Sequence, residues 1–267
     1  MPPSMERQGE LDERTRAFYL RTLELLIAAG IPCLVGGAYA LNRYTGIERH
    51  TKDLDVFVRR EHYGAVMGAL GEAGIETELT FPHWLGKASC QHGCIDVIFS
   101  SGNGLAQVDE EWFTHAVAGS VLGIEVRLCP PEEMIWSKAF ITERERYDGA
   151  DIMHLLLACA ERLDWRRLLA RFDAHWRVLF TYLSLFGFVY PSERARVPAW
   201  VMTDLIGRLE RELHAPASAR RVCQGTLLSR EQYLTDVGMW GFEDARVTVA
   251  GSMTVEEVAR WTRAIED

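Results

Sequence analysis

Long apolar segments are missing from this sequence. It has no run of about 18 consecutive apolar residues, so we expect no membrane-spanning helix. Residues 1–18, MPPSMERQGELDERTRAF, are charged and lack the apolar core of a secretory signal peptide. The formal net charge of −9 disfavours a large nucleic-acid-binding surface, because such surfaces are basic. These absences predict a cytoplasmic protein with no membrane partner.

The sequence also lacks a cysteine pattern that would indicate disulfides or a structural metal. Six cysteines are scattered over 267 residues, and in the absence of a signal peptide we expect them to be reduced thiols. The densest group is Cys90, His92 and Cys94, which strand alternation would place on one side of a strand. The spacing Cys-x-His-x-Cys matches no common structural zinc site, so zinc is not expected there.

The character of the chain changes near residue 130. A chain of this length fits one large domain or two small ones. Before residue 130, short apolar runs alternate with helical patterns, whereas after CPPEE the pattern is mostly helical to about residue 214. We therefore predict an α/β domain over residues 1–130 and a mainly helical domain over 131–267, in which the last fifty residues pack back onto the body. The first domain is expected to contain a helix over 11–29 and strands over 31–35, 53–58, 75–81 and 94–100.

A glycine pair and an aspartate pair lie close together in residues 35–58, VGGAYALNRYTGIERHTKDLDVFV. On the predicted strand, Asp53 and Asp55 point to one side, because side chains alternate along a strand. Two such carboxylates repel each other, and a magnesium ion, which prefers oxygen ligands, relieves that repulsion. Gly36 and Gly37 fall between a strand and the start of a helix, where bare backbone lets phosphates approach. The segment thus predicts a metal–nucleotide site.

A third carboxylate fits the same site. Asp96 lies in CIDVIFS, another predicted strand, where an isolated aspartate between apolar residues is costly to bury without a partner. If this strand neighbours DLDV, three carboxylates meet and can hold two metal ions roughly 3.5–4 Å apart for an in-line displacement. Asp96 is also placed to accept a proton from an incoming hydroxyl.

These motifs resemble the nucleotidyltransferase superfamily typified by DNA polymerase beta. Over roughly residues 30–100, GGAYAL, ERHTKDLDVFV and CIDVIFS are most similar to small bacterial nucleotidyltransferases that modify lincosamides and aminoglycosides. The resemblance implies an α/β (α+β) nucleotidyltransferase domain with a short mixed sheet. It also implies that basic residues just ahead of the aspartate pair, here Arg49 and Lys52, assist nucleotide binding. Both could instead be ordinary surface side chains.

A weaker similarity follows in the helical region. WSKAFITERERYDGADIMHLL resembles a segment of abortive-infection and toxin-type nucleotidyltransferases. This similarity implies that Lys138 contacts a nucleotide phosphate, with Asp148 or Asp151 in support, although Lys138 also fits a solvated helix face. Beyond about residue 165 no motif defines a substrate.

The function that these patterns favour is magnesium-dependent transfer of a nucleoside monophosphate from a nucleoside triphosphate to a hydroxyl acceptor, with release of pyrophosphate. Asp53, Asp55 and Asp96 are the predicted metal-binding and catalytic residues, and Gly36 and Gly37 the predicted triphosphate cradle. A small-molecule acceptor is preferred to RNA or protein. Alternatives are a toxin-type enzyme acting on RNA or protein, a non-catalytic nucleotide-binding or antitoxin-like protein, and a glycosyltransferase that uses Asp-x-Asp. The base, the acceptor and the oligomeric state stay open.

Overall fold

The computed structural model describes residues 11–49, 51–248 and 251–264. The chain divides into two compact units. The first comprises the described residues up to Ser100 together with Gln107–Pro130, and the second comprises Ser101–Ala106 and the described residues from Pro131 onward. The division after Pro130 coincides with the change in sequence pattern, whereas the short segment Ser101–Ala106 joins the second unit.

The first unit combines a mixed seven-stranded sheet with four helices among its described residues. The strand order is β3-β4-β5-β2-β1-β7-β6. In chain order the elements are α1 (Glu13–Ala28), β1 (Leu34–Val35), α2 (Gly37–Thr45), β2 (Asp53–Phe57), α3 (Tyr63–Glu72), β3 (Glu76–Phe81), β4 (Leu85–Cys90), β5 (Gly93–Ile98), α4 (Glu110–Thr114), β6 (Val117–Val121) and β7 (Ile124–Leu128).

Local sequence signals explain where the first helix begins and ends. The Asp12 carboxylate accepts hydrogen bonds from the backbone N–H groups of Arg14 and Thr15 and so caps α1. The chain leaves the helix at Gly30, whose φ of 65° lies in the left-handed region that glycine adopts without strain. The helix predicted over 11–29 is therefore confirmed.

The centre of the sheet is the pairing of β2 with its two neighbours. β2 runs antiparallel to β1 and parallel to β5, and the parallel register sets Asp55 opposite Asp96. Leu54 and Val56 are fully buried, as are Ile95 and Val97 of β5, so these two strands supply one wall of the core. The predicted alternation of β2 is confirmed, and the DLDV and CIDV strands are neighbours, which was the condition for Asp96 to lie beside the aspartate pair.

Several strands were not predicted, and one prediction about the cysteines is wrong. The predicted mixed sheet is confirmed, and β4, β6 and β7 are strands of it that were not predicted. β4 and β5 form an antiparallel hairpin in which Cys90 pairs with Gly93. Cys90 therefore ends one strand and Cys94 lies in the next, with His92 in the turn, rather than all three on one side of a single strand.

The second unit is mainly helical, as predicted. The acidic first turn of its first helix is buried: Glu132 and Glu133 form ion pairs with Arg167, and Glu133 also pairs with Arg171. The C-terminal part packs within this unit, where Ser252 Oγ donates to the Gly104 carbonyl at 2.6 Å. The elements are α5 (Pro131–Lys138), α6 (Gly149–Cys159), α7 (Trp165–Phe172), α8 (Trp176–Val189), α9 (Ala199–Leu213), β8 (Val222–Cys223), α10 (Leu234–Gly238), β9 (Glu243–Asp244) and α11 (Val255–Arg263).

None of the helices in the described part of the chain combines the length and the apolar character that crossing a membrane requires.

Candidate active site

The aspartate pair lies on one side of β2. Asp53 and Asp55 are half-buried, whereas Leu54 and Val56 between and beyond them face the core. Thr51 supports the first carboxylate, because its hydroxyl lies 2.7 Å from Asp53 Oδ1 and 3.0 Å from the Asp53 carbonyl. The Thr51 hydroxyl thus fixes the orientation of Asp53.

The glycine pair fits tightly against this strand. The Gly36 N–H donates to the Asp55 carbonyl at 3.0 Å, so the turn between β1 and α2 is tied to β2. Gly37 is the first residue of α2 and has a φ of 53°. A Cβ atom at Gly37 would overlap the Asp55 carboxylate, and one at Gly36 would overlap the Phe57 ring. The missing side chains therefore bring a helix N-terminus directly beside an aspartate of the pair.

Asp96 lies on the same face of the sheet as Asp53 and Asp55, and it forms an ion pair with a lysine. It lies opposite Asp55 on β5, and on its other side it lies opposite Lys87 of β4. The Lys87 ammonium is 3.1 Å from Asp96 Oδ1. Burial raises the pKa of Asp96 above the ordinary aspartate value, although Lys87 acts in the opposite direction. A carboxyl group with a raised pKa is better matched to accepting a proton near neutral pH.

Phenol and thiol groups complete the surroundings of Asp53. Burial, with Asp53 as a further contribution, raises the pKa of Tyr39 to about 12. Burial likewise raises the pKa of Tyr19, whose hydroxyl donates to the Lys52 carbonyl at 3.0 Å. Cys94 lies opposite Asp53 in the register, and burial raises its thiol pKa to about 11. All three groups stay protonated near neutral pH, so they add no negative charge to the face.

The carboxylates of the aspartate pair are the kind of oxygen ligand that a magnesium ion prefers. Magnesium is commonly held by one or two carboxylates together with substrate phosphates, and Asp53 and Asp55 on one side of β2 fit that pattern. Within the described residues, no three His, Cys, Asp or Glu side chains are grouped so as to hold a metal by themselves. A third ligand from Asp96 stays a prediction, and this carboxylate is paired with Lys87.

The basic residues ahead of the pair are both exposed. Arg49 lies in the segment between α2 and β2, and Lys52 directly precedes β2. Their side chains do not share the half-buried environment of Asp53. A role for Arg49 in nucleotide binding stays a prediction.

Lys138 lies in the second unit, at the last position of α5. Its ammonium is 2.7 Å from Asp148 Oδ2 and 2.8 Å from Asp151 Oδ2. Burial alone would raise the pKa of Asp148, but Lys138 and Arg146 hold this pKa below the ordinary aspartate value. The two aspartates thus accompany the lysine as the sequence similarity implied, while its contact with a nucleotide phosphate stays a prediction.

Three residues of the site were missed at the sequence level. Lys87 lies in LGKASC, a segment with the alternation of a strand that could have revealed β4. Thr51 stands two residues before Asp53, the spacing at which a threonine hydroxyl reaches a neighbouring group in the chain. Tyr39 carries no local signal, because only the packing of α2 brings it near Asp53.

No family model and no curated protein matches this chain.

Solved structures do match, and they include the class that the sequence resembles. The antibiotic-resistance factor ANT(2'')-Ia in solution is 18% identical with a TM-score of 0.45, and the match covers 63% of this chain and 96% of that one. The lincosamide antibiotic adenylyltransferase LnuA, bound to lincomycin, is 16% identical with a TM-score of 0.39, covering 55% and 98%. An antigenic nucleotidyltransferase-like protein from Paracoccidioides brasiliensis is 14% identical with a TM-score of 0.41, covering 69% and 92%.

Proposed function

We propose that this protein is a nucleotidyltransferase that moves a nucleoside monophosphate from a nucleoside triphosphate to a hydroxyl group of a small molecule. The observation that carries the proposal is the contact between two features that a nucleotide site needs. Asp55, one member of the aspartate pair, lies directly against Gly37, the first residue of α2. A carboxylate pair for a cation and a helix N-terminus for phosphates therefore adjoin each other.

The first turn of α2 supplies the proposed phosphate contacts. The leading N–H groups of any helix have no partner within the helix, and they carry the positive end of its dipole. At α2 the N-cap residue is Gly36, which has no side chain with which to cap these groups. Triphosphate oxygens can approach this bare backbone, and Asp53 and Asp55 would hold the accompanying magnesium ion. When bound, that ion would neutralise charge on the phosphates.

The chain's own residues then support in-line transfer. The acceptor oxygen bonds to the α-phosphorus, the bond from that phosphorus to the bridging oxygen breaks, and pyrophosphate leaves with the electron pair. The acceptor's proton passes to Asp96, whose carboxyl group has a raised pKa and belongs to the strand beside Asp55. Thr51 keeps Asp53 oriented throughout.

A small-molecule acceptor is proposed on electrostatic grounds. The formal net charge of −9 would disfavour the approach of a polyanion such as RNA. A neutral or cationic hydroxyl compound meets no such repulsion. Transfer to RNA or to protein is the alternative outcome of the experiment below.

The decisive experiment combines labelling with nucleotide binding. Purified protein is incubated with each of the four α-³²P-labelled nucleoside triphosphates and magnesium, together with small-molecule, RNA and protein fractions of a cell lysate. We expect one nucleotide to label the small-molecule fraction and to release pyrophosphate in equal amount. Label on RNA or protein would replace the proposed acceptor class but keep the reaction.

Matched control variants distinguish transfer catalysed by this site from transfer by a contaminating enzyme. Asp53→Asn and Asp55→Asn remove charge from the proposed metal ligands without changing side-chain size, and each is expected to abolish transfer while the protein stays folded. A sugar-nucleotide donor tests the glycosyltransferase alternative. The proposal fails if the wild-type protein transfers no label and binds no triphosphate in isothermal titration. Binding without transfer would favour the non-catalytic alternative.

A further inference from the structure

A row of charged residues crosses four strands of the sheet. The register sets Glu78 of β3 opposite Lys87 of β4, Lys87 opposite Asp96 of β5, and Asp96 opposite Asp55 of β2. Residues directly opposite each other on neighbouring strands project from the same face, and the strands lie about 4.7–4.9 Å apart. The Asp96 carboxylate thus stands between a cation on one side and a carboxylate on the other.

The structure shows which neighbour Asp96 contacts. The Lys87 ammonium lies 3.1 Å from Asp96 Oδ1. Opposite charges in a cross-strand pair attract, whereas like charges directly opposite each other destabilise the pair. The Asp96 side chain is 14% exposed and that of Lys87 is 40% exposed. A largely buried carboxylate is thus paired with a more exposed ammonium group. The ion pair therefore ties Asp96 to a residue of β4, on the side away from β2.

We propose that Lys87 is a positioning residue that keeps the Asp96 carboxylate out of the metal-binding pair and directed to the acceptor hydroxyl. The inference rests on the proposed function for the identity of the reaction, but the placement of Asp96 can be tested without it. Asp53 and Asp55 then hold the cation without a third protein carboxylate. Asp96 serves proton transfer alone, because its charge is already matched by Lys87.

The proposal makes a prediction that a purely structural ion pair does not. Without the Lys87 charge, Asp96 is no longer held toward β4, and it can turn toward Asp55 and join the cation's ligands. Cation binding should then become tighter while turnover becomes slower. Loss of the Lys87 charge with Asp96 staying in place could also tighten cation binding, through weaker electrostatic repulsion of the cation, but it would not slow turnover. The decisive result is therefore tighter binding together with slower turnover.

The test uses Lys87→Met, which keeps the length of the side chain and removes its charge. Binding of Mn²⁺ to the nucleotide-free protein is measured from the paramagnetic resonance signal of the free ion. We expect Lys87→Met to bind Mn²⁺ at least about threefold more tightly than wild type, since each added carboxylate raises the affinity of an oxygen-ligand site. In the labelling assay, kcat should fall by about tenfold or more, with KM for the triphosphate within about twofold.

Three further variants are matched to this one. Lys87→Arg keeps the positive charge and should stay near wild type in both measurements. Glu78→Gln removes a charge from the other side of Lys87 and should also stay near wild type. The double variant Lys87→Met with Asp96→Asn removes the released carboxylate, so its Mn²⁺ affinity should return to the wild-type value. Lys87→Gln replaces Lys87→Met if the methionine variant does not fold.

Unchanged or weaker Mn²⁺ binding in Lys87→Met would overturn the proposal, as would wild-type turnover in that variant. Tighter binding that persists in the double variant would also overturn it, because Asp96 would not be the added ligand. Failure of the proposed function is distinct from these outcomes, since it would appear as no transfer by the wild-type protein. The Mn²⁺ measurements decide the placement of Asp96 in that case too.

Discussion

Replacing Gly37 by alanine tests the contact on which the proposed site depends. The substitution has two consequences that the structure separates. The φ of 53° at Gly37 lies in the left-handed region, where a non-glycine residue costs roughly 1–2 kcal/mol of folding free energy. In addition, the new Cβ atom would overlap the Asp55 carboxylate, so this carboxylate must move on the order of 1 Å or more. A displacement of that size in a reacting group costs about 100-fold in rate.

Gly30→Ala is the matched control for the backbone cost. Gly30 also has a positive φ, 65°, but an added Cβ there meets nothing within 4 Å. Urea denaturation should therefore show a loss of about 1–2 kcal/mol in the unfolding free energy of Gly30→Ala, with a loss at least as large for Gly37→Ala. In the labelling assay, Gly30→Ala should transfer at the wild-type rate and Gly37→Ala about 100-fold more slowly.

The comparison between the two variants decides the outcome. If Gly37→Ala is folded and transfers within a few-fold of wild type, the contact between α2 and Asp55 has no part in catalysis. If Gly30→Ala loses as much activity as Gly37→Ala, backbone destabilisation accounts for both, and the displaced carboxylate explains nothing.

Three more results are expected. Asp96→Asn should keep triphosphate affinity, measured by isothermal titration, within a few-fold of wild type. It should lower turnover on the order of 100-fold, which is the usual cost of losing a general base. Wild-type turnover in this variant would contradict the proposed role of Asp96 as the general base. Lys138→Met should lower the unfolding free energy by about 3 kcal/mol in urea denaturation, because the buried carboxylates of Asp148 and Asp151 lose the cation between them. An unchanged midpoint of the urea transition would contradict the burial of this ion pair. With iodoacetamide at pH 8, the exposed Cys90 should react well before Cys94, whose thiol has a pKa of about 11. Because only the thiolate reacts, the labelling of Cys94 should rise as the pH is increased toward that value. Equal reaction rates of the two cysteines at pH 8 would contradict the raised pKa of Cys94.

Much of the first unit could be predicted from local patterns. The alternation in DLDVF fixes which side chains of β2 enter the core, because neighbouring side chains of a strand point to opposite faces. The segment after Gly36 and Gly37 was correctly predicted as a helix, and Gly30 correctly as a helix end. β4, β6 and β7 were missed, since short strands with mixed polarity carry weak periodic signals and depend on their partners for stability.

The sequence by itself determined the chemistry that the site can offer: an aspartate pair on one side of a strand, a glycine pair before a helix, and a third aspartate on another strand. The alternation of side chains along a strand and the conformational freedom of glycine depend on only a few neighbouring residues. Both can therefore be predicted from the sequence without knowledge of the tertiary structure. Only the tertiary structure decided the charge environment of Asp96. Its neighbours Asp55 and Lys87 come from different strands, and register between strands is set by core packing and turn geometry rather than by local sequence. The ion pair between Lys87 and Asp96 is therefore a property of the folded sheet.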